Sequence, residues 1–209
     1  MDIEEVLKRA EGFDQATDAG TLSSVLQRLL RKNAQVRAEA SEPVSDNERT
    51  RKLVAQSDEE VAKHLETMMS LAAEPESYPG FVKCGGVVNC INALVHESTR
   101  VAASATRLID ELVDTDTPRE CAPLLTELLR MQAPALLLRN LRRFDECQAT
   151  EGLAVYWSMS VLESLCELDL RSLMRQLLPQ EAPGTEGRGD LFLWLLLRIT
   201  ATLDDTADV

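Results

Sequence analysis

Few side chains in this sequence are placed to do chemistry. Two histidines, His64 and His96, and five cysteines, Cys84, Cys90, Cys121, Cys147 and Cys166, are spread along 209 residues. A metal centre needs several His, Cys or carboxylate ligands converging at short spacing, and no such spacing occurs. His96-Glu97 is not followed by a second histidine four residues after the first, so the zinc-protease pattern is absent. Each histidine therefore reads as a surface or groove residue. Nucleophilic catalysis would need Ser or Cys beside a base, but no GxSxG elbow is present. Each cysteine sits among Val, Leu or Ala, as small structural hydrophobes do. Gly85-Gly86 lacks the Lys-Ser/Thr pair that turns a glycine loop into a phosphate cradle and reads as a helix–helix turn. No cofactor or metal is expected, and an enzyme working through an unrecognised cleft is the weakest functional reading.

The abundant functional group is the carboxylate. Thirty-five Asp and Glu against 22 Lys and Arg give a formal net charge of −13. Such a field repels phosphate backbones and anionic lipid, which argues against direct nucleic-acid or membrane binding, and attracts basic protein segments. The competing explanation for the charge is solubility alone. An odd number of cysteines without a CxxC pair fits a reducing compartment. The acidic start MDIEEVLK is no secretory signal, and no apolar run approaches about 18 residues. A soluble protein of the cytosol or nucleus is expected.

Any acidic surface must be carried by helices. Apolar residues make up 44% of the chain and aromatics only 4%, and the apolar set is Leu, Val and Ala in segments of helical length. In TLSSVLQRLLRKNAQVRAEA, Leu22, Val25, Leu26, Leu29 and Leu30 share one face, with Arg28, Arg31, Lys32 and Arg37 around the other. The polar stretch 41–50 reads as a linker. Ser57 with Glu60 has the form of a capping box, opening a helix to about Ala73 through Val61, Leu65, Met68, Met69 and Ala72. Pro75 and Pro79 bracket a short element ended by Gly85 and Gly86, after which VVNCINALVH starts another helix.

After Ser98, the spacing of Val101, Ala105, Leu108, Ile109 and Leu112 predicts a helix packed against other helices. Thr117 as N-cap, Pro118 at the first helical position and Glu120 predict the next start. Asp116 and Glu120 suit its positive end, whereas Asp114 comes late in the preceding helix, where the dipole disfavours a negative charge, and is free to meet something basic. Helices follow in PLLTELLRMQ, APALLLRNLRRFDE, EGLAVYWSMSVLESLCELDL and SLMRQLLP. A Pro/Gly loop, EAPGTEGRGD, leads to a last helix, LFLWLLLRITATL. Trp157 and Trp194 fall in apolar helices and are expected in the core.

A compact apolar helix, a polar turn and a longer amphipathic helix occur in that order twice. Aligning Leu94 with Leu141 gives a period of 47, within the range of about 40–47 for armadillo and HEAT units. The expected fold is all-α, an armadillo/HEAT-like right-handed superhelix, with a globular helical bundle as the alternative. Residues 1–48 read as a helical extension and linker, and 49–209 as repeats forming the N-terminal part of a longer solenoid.

The words RLIDELVDTDT, ALLLRNLRRFDE and LFLWLLLRI, in that order and spacing, resemble the N-terminal armadillo-type half of the beta-catenin-like protein 1 family. The resemblance covers roughly residues 49–200. It is carried by Glu111, Leu112, Asp114, Asp116 and Thr117, by Asn140, Leu141, Arg143, Asp145 and Glu146, and by Trp194, Leu195, Leu196 and Arg198. It implies a nuclear, non-catalytic subunit of the nineteen complex in pre-mRNA splicing that recognises the basic, nuclear-localisation-type segment of a Myb-domain splicing partner. Two departures stand out. Family members are longer, and they carry a basic N-terminal tail, whereas only the stretch around Arg31 and Lys32 is basic here. The final helix also lacks the polar-faced cap that normally ends a solenoid, which leaves a surface for a partner or for self-association.

In an armadillo unit the longer last helix lines the concave surface. The residues opposite its buried stripe are Arg107 and Asp110, with Asp114 just beyond, in one unit, and Tyr156, Ser160, Glu163 and Glu167 in the next. Asp110, Asp114, Glu163 and Glu167 on neighbouring ridges would make a trough for Lys and Arg, or simply a solvated face. Nuclear-import receptors place Asn four residues after Trp on these helices. Val161 stands four after Trp157, which makes an import-type adaptor the weaker binding reading. A structural solenoid of another assembly is a further alternative.

Overall fold

The computed structural model describes residues 19–41, 48–114 and 118–177. Among them every regular element is helical. In chain order these are α1 (Ala19–Ala40), α2 (Glu48–Met68), 3₁₀ turns at Met69–Ala73 and Pro75–Ser77, α3 (Tyr78–Lys83), α4 (Gly86–Leu94), α5 (Thr99–Val113), α6 (Pro118–Arg130), α7 (Ala133–Leu141) and α8 (Ala149–Leu177).

The 47-residue period is visible in the backbone. α3 and α6 end at Lys83 and Arg130, and α4 and α7 each run nine residues, Gly86–Leu94 and Ala133–Leu141. The residue before each nine-residue helix is left-handed: Gly85 at φ 80 and Gln132 at φ 59. Only this conformation reverses the chain sharply enough to lay the short helix back on its predecessor. Glycine adopts it freely, while a side chain makes it costly. A Cβ on Gly86 would sit 2.2 Å from the Phe81 ring, so the first copy of the turn also needs a glycine for close packing.

One continuous core joins the two units. Val101, Ala105, Leu108 and Leu112 of α5 are buried as their spacing predicts, with Leu94 of α4, Leu124 and Leu128 of α6, Leu137 and Leu141 of α7, and Val161 and Leu165 of α8. Leu22 and Leu26 of α1 enter the same core, so the N-terminal helix packs as part of the body. A second cluster of Ala102, Ala103, Phe144 and Ala154 sets small residues where α5 meets α8, letting the two helices approach closely.

Several local expectations are corrected. Residues Glu48–Thr50, read as linker, already belong to α2. Ser57 does not cap a helix; it lies buried inside α2, and its Oγ accepts a hydrogen bond from Asn33 Nδ2 at 3.1 Å. A tertiary partner has taken the hydroxyl that would otherwise end the helix. The α-helical geometry of α2 stops at Met68, and its last turn tightens to 3₁₀ through Ala73. Pro118 does open α6, while Asp116 and Thr117 lie outside the described residues, as do EAPGTEGRGD, LFLWLLLRITATL and Trp194. Cys84 and Cys147 are exposed, unlike the buried Cys90 and Cys121.

Arg37, read as solvent-facing, is drawn inward. Its guanidinium meets Asp58 at 2.6 Å and Glu97 at 2.9 Å, and its Nε donates to Asn33 Oδ1. Fully buried Asn33 also donates to Asp58 Oδ1 at 2.7 Å, and its Oδ1 accepts from His96 Nε2 at 2.8 Å. His96 Nδ1 accepts the Ser98 N–H at 3.0 Å, which fixes the ring as the neutral Nε2–H tautomer. His64 is likewise committed, its Nε2 lying 2.9 Å from the Leu22 carbonyl. Both histidines are half-buried, as groove residues are, and each is committed to a hydrogen bond within the protein.

The strained turn and the half-buried His96 can each be tested in solution. Replacing Gln132 with glycine relieves the left-handed turn and should raise stability by about 0.5–1 kcal/mol in chemical denaturation; a loss would show that the Gln132 side chain carries the turn. Burial first, and then the Arg37 charge, hold His96 below its ordinary value, opposed by Asp58 and Glu97. The unfolded chain therefore binds the proton more readily, and stability present above about pH 6.5 declines on acidification through the folded-state value. Melting temperatures between pH 7.5 and 5 should show this fall, and His96→Gln should flatten it.

Candidate functional site

Of the seven residues expected on the concave face, Arg107, Asp110 and Ser160 lie where α5 meets α8, Asp114 follows the last turn of α5, and Tyr156, Glu163 and Glu167 lie on α8. At 100° per residue, the core-facing line of α8 runs through Ala154, Ser158, Val161 and Leu165. Trp157 and Ser160 lie on the flank turned to α5, and Tyr156, Glu163 and Glu167 form the outer crest. Tyr156 is 68% exposed, and Glu163, Glu167 and Asp114 are also exposed. Val161 is fully buried, so the position four residues after Trp157 is turned away from any ligand.

Two contacts tie the seam together. Arg107 lies over the Trp157 ring, 5.5 Å from its centroid, and reaches Glu111 at 3.8 Å along its own helix. Trp157, expected in the core, is only half-buried: it packs against the cluster of Ala102, Ala103, Phe144 and Ala154 at the edge of the body, with the Arg107 guanidinium over its ring. Stacking under a guanidinium shields the indole face while leaving the charge near water.

The second contact brings the Ser160 hydroxyl near Asp110, where it favours the ionised carboxyl. Asp110 is the larger correction. Expected to face a ligand, it is only 8% exposed, because the small residues of the Ala102, Ala103 and Ala154 cluster bring α5 close enough to α8 to cover that flank. Its Oδ1 is buried with no hydrogen-bond partner. Burial raises the carboxyl above its ordinary value; the Ser160 hydrogen bond opposes this, and the charges of Asp114 and Glu111 add to the rise. Asp114, one turn on, ends α5 with its N–H donated to the Asp110 carbonyl at 2.8 Å.

The seam thus combines an exposed acidic crest, a guanidinium on an aromatic face and a buried carboxylate with one oxygen unsatisfied. An arrangement of this kind can hold cationic side chains along its crest by charge and their aliphatic stems on Tyr156. Among the described residues no group of three His, Cys, Asp or Glu could hold a metal ion. Cys90 is fully buried, and its thiol is pushed up to about 12 by that burial, far from the thiolate that a nucleophile requires.

Sequence reasoning missed the polar cluster of Asn33, Asp58, Arg37 and His96, although a signal was present. Asn33 and Arg37 continue the Leu22, Leu26, Leu29 and Leu30 stripe, and Ser57 and Asp58 precede Val61 and Leu65 on theirs. Two stripes that both turn polar one or two turns beyond their apolar stretch mark a buried polar crossing.

The sequence matches, over residues 2–208, the family described as catenin-beta-like, Arm-motif containing nuclear. Among curated proteins it is similar to beta-catenin-like protein 1 of Mus musculus, 28% identical over 143 residues, covering 66% of this chain and 24% of the relative. The Homo sapiens protein of the same name is 28% identical over 144 residues with the same coverage. The Schizosaccharomyces pombe homolog is 29% identical over 100 residues, 47% of this chain and 18% of that protein. The chain spans about a quarter of the length of the mammalian relatives that it matches.

The unsatisfied Asp110 oxygen makes a prediction. Because the folded-state value is raised, ionising Asp110 costs the folded protein stability above the ordinary aspartate value. Asp110→Asn should therefore stabilise the protein at pH 7 by on the order of 1 kcal/mol, the cost of a poorly satisfied buried acceptor. The gain should shrink as pH falls toward 3.8 in urea titrations; a destabilised variant at pH 7 would show that the charge itself holds the seam.

Proposed function

The chain belongs to the catenin-beta-like, Arm-motif containing nuclear family, and from that membership we propose that it is a non-catalytic protein-binding scaffold that serves pre-mRNA splicing in the nucleus. Its ligand is a basic, nuclear-localisation-type segment of a splicing partner, held along the α5–α8 seam. Arg107, Asp114, Tyr156, Ser160, Glu163 and Glu167 form that surface, with Asp110 buried beneath it.

The observation that carries this reading is the acidic crest beside a buried, incompletely satisfied carboxylate. Glu163 and Glu167 lie one turn apart on α8, and Asp114 ends α5 next to Asp110. In the division of labour that follows, the exposed acids attract the cation, Tyr156 packs its stem, and Asp110 and Ser160 hold the two helices in register. The net charge of −13 steers a basic segment toward the protein from any side. Each exposed pair contributes only about 0.2–1 kcal/mol, so affinity comes from several contacts made together.

A fluorescent peptide rich in Lys and Arg should bind, and its affinity should fall as salt rises. Changing Asp114 to Asn and Glu163 and Glu167 to Gln together should weaken it by about 3- to 150-fold, the sum of three such pairs, with the melting temperature unchanged. Unchanged affinity in that triple variant would remove the seam from the binding surface. Pull-down from nuclear extract tests the splicing assignment. Recovery of splicing factors supports it, and their absence beside other assembly subunits would replace it with the structural-solenoid reading.

A further inference from the structure

A single cation stands in the acidic seam. Between Ala149 and the break at Asp169, α8 carries no Lys or Arg, and α5 carries two arginines, Arg100 and Arg107. Arg100 is drawn to Glu59 of α2 at 2.5 Å, which leaves Arg107 as the only basic residue of these two helices at their junction. Around it stand Asp110, Glu111 and Asp114 on α5 and Glu163 and Glu167 on α8.

Arg107 is held there loosely. Its guanidinium lies 5.5 Å from the Trp157 ring centroid and 3.8 Å from Glu111, with the Arg107 and Glu111 side chains 43% and 46% exposed. A cation over a ring near water and a long ion pair within one helix are both weak contacts. The ring, by contrast, is fixed, packed against the cluster of Ala102, Ala103, Phe144 and Ala154. A fixed aromatic surface beside a run of carboxylates, with a weakly held guanidinium on it, has the composition of a cation site filled from within.

The order along the seam follows from two pairs. Arg107 meets Trp157 and Asp110 lies near Ser160, so α5 and α8 run in the same direction here. Glu163 comes six residues after Trp157, about 9 Å along the helix. An extended segment covers that distance in about three residues. A ligand with one cation on the ring therefore brings its next ones among Asp114, Glu163 and Glu167.

We propose that Arg107 is an intramolecular stand-in for the ligand: it occupies the Trp157 ring in the free protein, and an arginine or lysine of the bound basic segment takes that place while Arg107 turns along α5 to Glu111. This rests on the basic-segment reading of the seam and gives that surface a specificity-determining residue. The exchange keeps a cation over the ring, and Arg107 moves to a partner one helical turn away. It also selects among ligands. Arg107 is tethered beside the ring and competes at high effective concentration, so a lone cation does not displace it, whereas a run of them held by the crest acids does.

The affinity of a fluorescent Lys/Arg-rich peptide for the full chain, in salt of about 0.15 M, tests the exchange. Arg107→Gln should tighten binding about 2- to 5-fold, the worth of one exposed cation–aromatic contact. Arg28→Gln, which removes the same charge from an exposed position on α1, should leave affinity unchanged. Trp157→Leu, added to Arg107→Gln, should abolish the gain. A gain that survives without the indole is a charge effect alone and overturns the proposal, as does unchanged or weaker binding by Arg107→Gln. Should Trp157→Leu fail to fold, the unsubstituted ring still decides. The chain has two tryptophans, and in fluorotryptophan-labelled protein saturating peptide should shift the fluorine resonance that Trp157→Phe removes; a resonance that stays in place overturns the exchange. The two readings fail separately. A peptide weakened by the triple acid variant but indifferent to Arg107 keeps the basic-segment surface and discards the stand-in, whereas a peptide that does not bind discards both.

Discussion

One buried amide holds the N-terminal half of this structure in register. Asn33 has no contact with solvent, so each of its polar atoms must find a partner inside the protein or cost the folded state a desolvated group. Its nitrogen donates to Ser57 and Asp58, and its oxygen accepts from Arg37 and His96. Those four partners come from α1, from α2 and from the turn between α4 and α5. Sliding any of these elements by one residue would break several of the bonds at once. Apolar packing alone would tolerate such a slip, because one leucine stripe fits another almost as well a turn further on.

The same turn is gripped from the other side by the second repeat. Arg143 donates to the His96 and Glu97 carbonyls at 2.9 and 2.7 Å, and Asn140 donates to the Leu94 carbonyl at 2.9 Å. The Leu94 carbonyl is one that α4 leaves unpaired at its C-terminal end, where a covered helix needs donors from elsewhere, and the other two belong to the turn that follows. Stacking the repeats therefore does two jobs: it buries the leucines and it completes the hydrogen bonding of the preceding helix. The α5–α8 seam inherits its geometry from this arrangement, since the position of α8 follows from α7, which sits where Asn140 and Arg143 anchor it.

Much of this was legible in the sequence. The stripe of α5 and the period of 47 residues recorded by Leu94 and Leu141 come from local spacing, and the structure places both as the spacing implies. Gly85 announced its left-handed turn through its residue type, but Gln132 gave no such signal, because glutamine occupies that region only when the surrounding fold holds it there. Ser57 misled for a related reason: a hydroxyl three residues before a glutamate signals a cap only if no distant side chain claims it first. Asp110 was read as facing a ligand because it lies opposite the stripe of its own helix, and its burial depended on Ala102, Ala103 and Ala154, which come from two helices.

The sequence by itself determined the helical class, the repeat length and the acidic balance, because all of these are periodic or additive properties of neighbouring positions. Among the described residues, tertiary structure decided which polar side chains are buried and which carboxylate oxygen lacks a partner. Those properties depend on how closely one helix approaches another, and that distance is fixed by side chains from two or more segments that no local pattern brings together.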